Sequence, residues 1–179
     1  MEIKKSALSD IGEIMSIYDK AQDFMARSGN PGQWEKTWPS VEYVEQNIIE
    51  GHGYNCVDDG EIVGVFGIDE DKDPWYDKID GRWLNDDAPY VIVKRMAVKY
   101  HLNKRYRGVC GFCMDWVYEK YGNIRLNTGV DNIIAQNGLK KLGFVCCGKL
   151  DKAPYAGKFL VYQKCRPALN NSIRITTSC

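Results

Sequence analysis

The sequence has no excess of charge of either sign. Its 24 Lys and Arg balance 24 Asp and Glu over 179 residues, which argues against bulk electrostatic capture of nucleic acid. Long apolar runs are missing too: none approaches the roughly 18–20 residues of a membrane span. The opening "MEIKKSALSDIGEIM" is charged from its second residue and lacks the apolar stretch of a secretory leader. Histidine is scarce, and His52 and His101 form no metal-binding pair. The 7 cysteines are an odd number without the rhythm of a disulfide framework. The expectation is a soluble, cytoplasmic monomer or homodimer with no nucleic-acid, membrane or metal partner. At this length one domain is expected over 1–165, followed by an arm without pattern over 166–179.

What is present is an alternation of periodicities. "MEIKKSA" suits a first strand. "DIGEIMSIYDKAQDFMA" places Ile14, Ile17, Tyr18, Ala21 and Met25 on one helical face, with Asp10 and Glu13 spaced as a capping box. Ser40 is placed to cap a second helix ended by Gly51. "YNCV", "DDG" and "EIVGVFGI" read as a hairpin. The polar, aromatic stretch "DEDKDPWYDKIDGRWLNDDAP" is too long for an ordinary turn and is expected as a loop. "YVIVKRMAV" is apolar enough for a central strand, but Lys94 and Arg95 interrupt it. Adjacent strand residues face opposite sides, so a bulge is expected there. A third helix follows Gly108, with Val109, Phe112, Cys113, Trp116 and Val117 at helical spacing. "NIRLNT" is a strand. "DNIIAQNGLKKLGF" is a fourth helix, with Ala135, Gly138, Leu139 and Leu142 on one side. "FVCCGKL" and "KFLVYQK" close as strands.

The stretch "RYRGVCGFC" puts cations and glycines at the start of that third helix. A helix N-terminus carries unpaired N–H groups and about half a positive charge, so it invites a phosphate or carboxylate. Neither a Walker loop nor GxGxxG is present. Cys110 and Cys113 form a C-x-x-C, whose redox reading predicts a depressed thiol pKa.

The ordered set "RMAV", "RYRGVC", "LNTGVDN" and "LKKLGF" resembles the GNAT superfamily of N-acetyltransferases. "RYRGVC" is similar to its phosphate-loop pattern Q/R-x-x-G-x-G/A. The resemblance implies a mixed α/β (α+β) fold, with a central sheet flanked by helices and splayed central strands. It also implies acetyl-coenzyme A (acetyl-CoA) as cosubstrate, without a metal. The amides of Tyr106, Arg107, Gly108, Val109, Cys110 and Gly111 would cradle its pyrophosphate, with Lys104 and Arg105 at the rim. Met96, Ala97 and Val98 would meet the pantetheine arm through their backbone, Asn132 through its side chain.

The implied activity is acetyl transfer to a primary amine of a small molecule or peptide, directly in a ternary complex. A lysine-like amine is neutral only about once in two thousand molecules at pH 7, a penalty near 4–5 kcal/mol. A proton acceptor must offset this. The family's acid–base tyrosine and glutamate positions hold Leu139 and Asn127 here, so Glu70, or after it Asp69, is the expected base. An amide at Met96 or Ala97 would meet the carbonyl oxygen. The acceptor pocket is expected among Gln33, Trp34, Trp38, Trp75, Tyr76, Trp83 and Tyr90, whose aromatic faces suit an amine. The alternatives are a non-catalytic acetyl-CoA or CoA binder and a thiol-redox protein using Cys110 and Cys113.

Overall fold

The computed structural model describes residues 1–30, 34, 37–70, 73–99, 108–151 and 157–167. Its strands are β1 (Glu2–Lys5), β2 (Gly53–Asp58), β3 (Glu61–Asp69), β4 (Ile79–Gly81), β5 (Val91–Val98), β6 (Asn123–Gly129), β7 (Val145–Leu150) and β8 (Phe159–Cys165). The helices are α1 (Ile11–Arg27), α2 (Val41–Ile49), α3 (Val109–Tyr121) and α4 (Ile133–Lys141). The strands form a mixed eight-stranded sheet in the order β1-β2-β3-β5-β6-β8-β7-β4. The residues group into two compact units, Met1–Asp69 with Val93–Trp116, and Glu70–Ile92 with Val117–Cys179.

In the first unit β1, β2 and β3 are antiparallel. Asp59 and Gly60 turn the β2–β3 hairpin, both at positive φ (49° and 79°), as a two-residue turn of the primed type requires. The apolar stripe of α1 is buried as its spacing predicts: Ile14, Ile17, Tyr18 and Ala21 join Val44, Val57, Ile62, Val65 and Ala97 in one core. Ser40 caps α2 by accepting from the Tyr43 amide at 3.2 Å. The expected capping box of α1 does not form. Asp10 instead accepts from the Ala7 amide and from Asn55 Nδ2, while Glu13 pairs with Lys99 at 3.1 Å. These tertiary partners outcompete the local one.

The irregularity expected in β5 lies at Arg95, whose φ is +53°. Such a backbone is costly for a residue with a Cβ, and it turns consecutive side chains away from simple alternation.

In the second unit β8 lies between β6 and β7, antiparallel to both. The N-terminal residues of β5 pair in parallel with β6, Val91 opposite Ile124 and Ile92 opposite Arg125. The long polar segment is more structured than its composition suggests. Pro74–Tyr76 forms a 3₁₀ turn, and β4 pairs with β7. A Cβ on Gly81 would stand 2.1 Å from the Cys147 carbonyl oxygen, so this pairing depends on glycine at that crossing. The fourth helix buries Gln136 and Leu139 rather than the whole expected apolar side. Arg166 remains attached, its amide donating to the Gly122 carbonyl at 2.8 Å. The rest of the expected arm, 168–179, lies outside the described residues.

Candidate functional site

The start of α3 is built by its neighbours in the first unit. Gly64 on β3 has no side chain, and an added Cβ would lie 2.8 Å from Val109 Cγ1 and 3.3 Å from Val98 Cγ1. Val109, 1% exposed, therefore seats the first turn of α3 directly on the strand. Gly108 precedes it at φ +88°, and an added Cβ there meets nothing within 4 Å among the described residues. Its carbonyl accepts from the Phe112 amide at 2.8 Å. The amides of Val109, Cys110 and Gly111 belong to the first turn, where a helix offers no internal acceptor. A left-handed glycine before a 13-residue helix presents N–H groups whose chemistry fits an anion such as a pyrophosphate. Lys104, Arg105, Tyr106 and Arg107 lie outside the described residues, as does Gln33.

Met96, Ala97 and Val98 follow Arg95 on β5. Ala97 is buried in the core. At the end of β3, Asp69 meets Lys94 Nζ at 2.6 Å and His52 Nδ1 at 3.5 Å. Glu50 lies 3.6 Å from the same His52 nitrogen. The carboxylate of Asp69 is thus committed to an ammonium. Trp34 packs edge-on to Tyr18, ring centroids 5.7 Å apart, and Trp38 lies 4.3 Å from Tyr43.

Beside these aromatic residues is a recess of about 20 Å³ whose lining includes Tyr18, Tyr43, Asn47, Phe66, Gly67 and Arg95. Arg95 Nη2 donates to Asn47 Oδ1 at 2.7 Å, and its guanidinium lies 4.4 Å from the Tyr43 ring centre. Burial pushes the Tyr18 phenol up to about 12, against the pull of the nearby Arg95 guanidinium. Tyr18 therefore stays neutral.

The second unit holds the remaining predicted residues. Glu70 is exposed and accepts from the Tyr121 hydroxyl at 2.8 Å. Asn132 caps α4, its side-chain oxygen accepting from the Ala135 amide at 3.1 Å. Tyr76 and Trp83 are 2% and 8% exposed, and with partly buried Trp75 and Tyr90 they form an internal cluster. Its cation comes from within. Arg125, 1% exposed, lies 4.0 Å from the Trp83 ring and 3.8 Å from the Tyr90 ring. At Trp83 and Tyr90 the chain's own guanidinium thus lies against a ring face. Arg125 also donates to the Asn85 carbonyl and to Asp86, while Gln163 accepts from the Leu84 and Asn85 amides.

The two positions that depart from the family pattern are explained by packing. Asn127 Nδ2 donates to the Tyr76 hydroxyl at 3.0 Å, and burial pushes that phenol well above its ordinary range. Leu139 is core, 7% exposed. Neither side chain exchanges a proton.

The thiols do not meet the redox expectation. Burial pushes Cys110 up to about 11. Cys113 is also raised, first by its hydrogen bond with Cys56 and then by burial. A reactive C-x-x-C needs the opposite direction. Among the described residues no three His, Cys, Asp or Glu are grouped to hold a metal ion, and no helix is long and apolar enough to cross a membrane.

Sequence reasoning flagged Arg95 as a charge in need of a partner but could not supply Tyr18, Tyr43 or Asn47. These come from two helices, and nothing local marks them. His52 and Tyr121 were likewise unsignalled.

No protein-family model and no curated protein matches the sequence, but solved structures match the fold over nearly the whole chain. An acetyltransferase of the GNAT family from Streptococcus agalactiae 2603 is 26% identical, with a TM-score of 0.81 over 93% of this chain and 96% of that one. A GNAT-family acetyltransferase from Listeria monocytogenes 4b F2365 is 18% identical, with a TM-score of 0.65 over 91% and 93%. A PaiA N-acetyltransferase from Thermoplasma acidophilum, solved in complex with coenzyme A, is 14% identical, with a TM-score of 0.60 over 92% and 98%. The chain thus has the fold of the GNAT acetyltransferases, the superfamily that its four motifs resemble.

Proposed function

We propose that this chain transfers the acetyl group of acetyl-CoA to a primary amine of a small molecule or peptide, directly in a ternary complex. The observation that carries this reading is the start of α3. Gly108 stands at φ +88° with no described residue over its Cα, and Gly64 lets Val109 seat the helix against β3. One helix N-terminus alone would be weak support. Here it comes with the β5 irregularity at Arg95 and the fold of the GNAT acetyltransferases.

Bound acetyl-CoA supplies the thioester whose carbonyl carbon accepts the amine. Gly108, Val109, Cys110 and Gly111 hold its pyrophosphate by N–H donation, with Lys104, Arg105, Tyr106 and Arg107 completing the loop. The pantetheine arm lies along Met96, Ala97 and Val98, and Asn132 contributes its amide. An N–H of Met96 or Ala97 donates to the carbonyl oxygen as charge gathers there. The nitrogen–carbon bond forms, the carbon–sulfur bond breaks, and the amine proton passes to a carboxylate. Glu70 is the preferred acceptor of that proton, because Asp69 is held by Lys94. The sulfur leaves as a thiolate, which needs no strong acid because a thiol pKa is about 8.5, and takes its proton from water.

Calorimetric titration with acetyl-CoA, with ATP and NAD as controls, tests the reading. Micromolar binding of acetyl-CoA alone, followed by amine-dependent thiol release, is expected. Binding without release would instead identify a CoA-binding module, the reading favoured by the proton-inert side chains at Asn127 and Leu139. No binding would refute both.

A further inference from the structure

Among the described residues Arg95 forms no ion pair with a carboxylate. Among these residues its partners are Asn47 Oδ1 and the Tyr43 ring, and the Tyr18 phenol lines the same recess. All are neutral. A guanidinium has five N–H donors, and these partners leave most of them unused. Half-buried charge without a partner is expensive, so the arrangement needs a reason.

The surroundings hold the guanidinium in place. Asn47 is fixed at both ends, Nδ2 donating to the Tyr43 carbonyl at 2.9 Å and Oδ1 accepting from Arg95. Gly67 leaves the space the guanidinium occupies, since an added Cβ would stand 2.7 Å from Nη2. The positive φ of Arg95 sets the direction of its side chain. The recess measures about 20 Å³, against roughly 10–15 Å³ for one water-sized group. A planar, two-oxygen anion matches the fork of an arginine.

Location gives the anion a meaning. Arg95 directly precedes Met96, and consecutive Cα atoms are about 3.8 Å apart. A group held by its guanidinium therefore lies about one arginine side chain's length from the backbone proposed above to meet the acetyl carbonyl. We infer that the acceptor amine carries a carboxylate, as an amino acid does, and that Arg95 in the Tyr18–Tyr43–Asn47 recess binds it. This rests on the acetyl-transfer reading for its consequence, but anion binding by the recess can be measured without turnover.

The test uses matched pairs: glycine, β-alanine, lysine and phenylalanine against methylamine, ethylamine, cadaverine and phenethylamine. Each pair differs only by a carboxylate. Calorimetry on the full chain, with and without CoA, should show at least one carboxylated member binding tenfold or more tightly than its twin. Arg95→Gln should erase that preference, Arg95→Lys should keep part of it, and CoA affinity should not change in either. Gly67→Ala, which displaces the guanidinium while keeping its charge, should weaken the preference severalfold. The proposal is overturned if no carboxylated member is preferred or if Arg95→Gln retains the preference. It is equally overturned if Arg95→Gln weakens CoA instead, which would assign Arg95 to the cosubstrate. Absence of CoA binding to the wild-type chain would sink the acetyl-transfer reading alone, because the pairs titrated without CoA still score the recess.

Discussion

A Cβ added to Gly64 would stand 2.8 Å from Val109 Cγ1, so α3 begins against a strand position that has no room for a side chain. The proposed anion seat would inherit its position from this contact. Gly64→Val should force α3 away from β3 and cost about 1–3 kcal/mol by overpacking. Denaturant titration would show the loss, and acetyl-CoA affinity should fall with it. A variant of full stability and affinity would show that the contact does not position the seat.

Gly108→Glu is the sharper probe of the seat. It puts a carboxylate where the phosphates are expected and a side chain where φ is +88°. Acetyl-CoA binding should be abolished, while the circular dichroism spectrum stays that of the parent. Unchanged affinity would refute the loop assignment.

Glu70→Gln should lower the rate of amine-dependent thiol release by about 10²–10⁴. Tyr121→Phe removes the hydroxyl that donates to Glu70 at 2.8 Å but leaves the carboxylate, so a change below about tenfold is expected. An unaffected Glu70→Gln variant would move the search for the base elsewhere.

Thiol reactivity gives a pH prediction with a clear sign. A thiol pushed up to about 11, as Cys110 is, is ionised in roughly one molecule in a thousand at pH 8, against about a quarter for an ordinary thiol. Iodoacetamide should therefore modify Cys110 slowly at pH 8 and faster as pH rises towards 11. Fast modification at neutral pH, read by peptide mass spectrometry, would revive the redox alternative.

Arg125 and Asp86 form an asymmetric pair, with side chains 1% and 72% exposed. Removing the arginine empties the gap between Trp83 and Tyr90, and Arg125→Met should cost about 2–4 kcal/mol. Asp86→Asn should cost less than about 1 kcal/mol, because its carboxylate is already in water. Equal losses in the two variants would contradict the view that stacking, rather than the ion pair, secures this arginine.

Much of the architecture was legible in the chain. The α1 stripe, the Asp-Gly hairpin, the apolar β5 with its charged interruption and the start of α3 each depend on local spacing. Local spacing is what a linear sequence records. The short β4 was not legible, because three residues in a polar segment become a strand only when β7 presents a partner edge. The Asp10–Glu13 box was a sound local expectation that lost to Asn55 and Lys99, both distant in sequence.

By itself the sequence determined the order of elements, the glycine before α3 and the family resemblance, since these rest on periodicity and motif. Tertiary structure decided which charged and aromatic side chains face one another. It gave Trp83 and Tyr90 an internal cation and left Arg95 among neutral partners. The physical reason is that desolvation and charge pairing depend on neighbours brought together from distant parts of the chain, which composition counts but does not place.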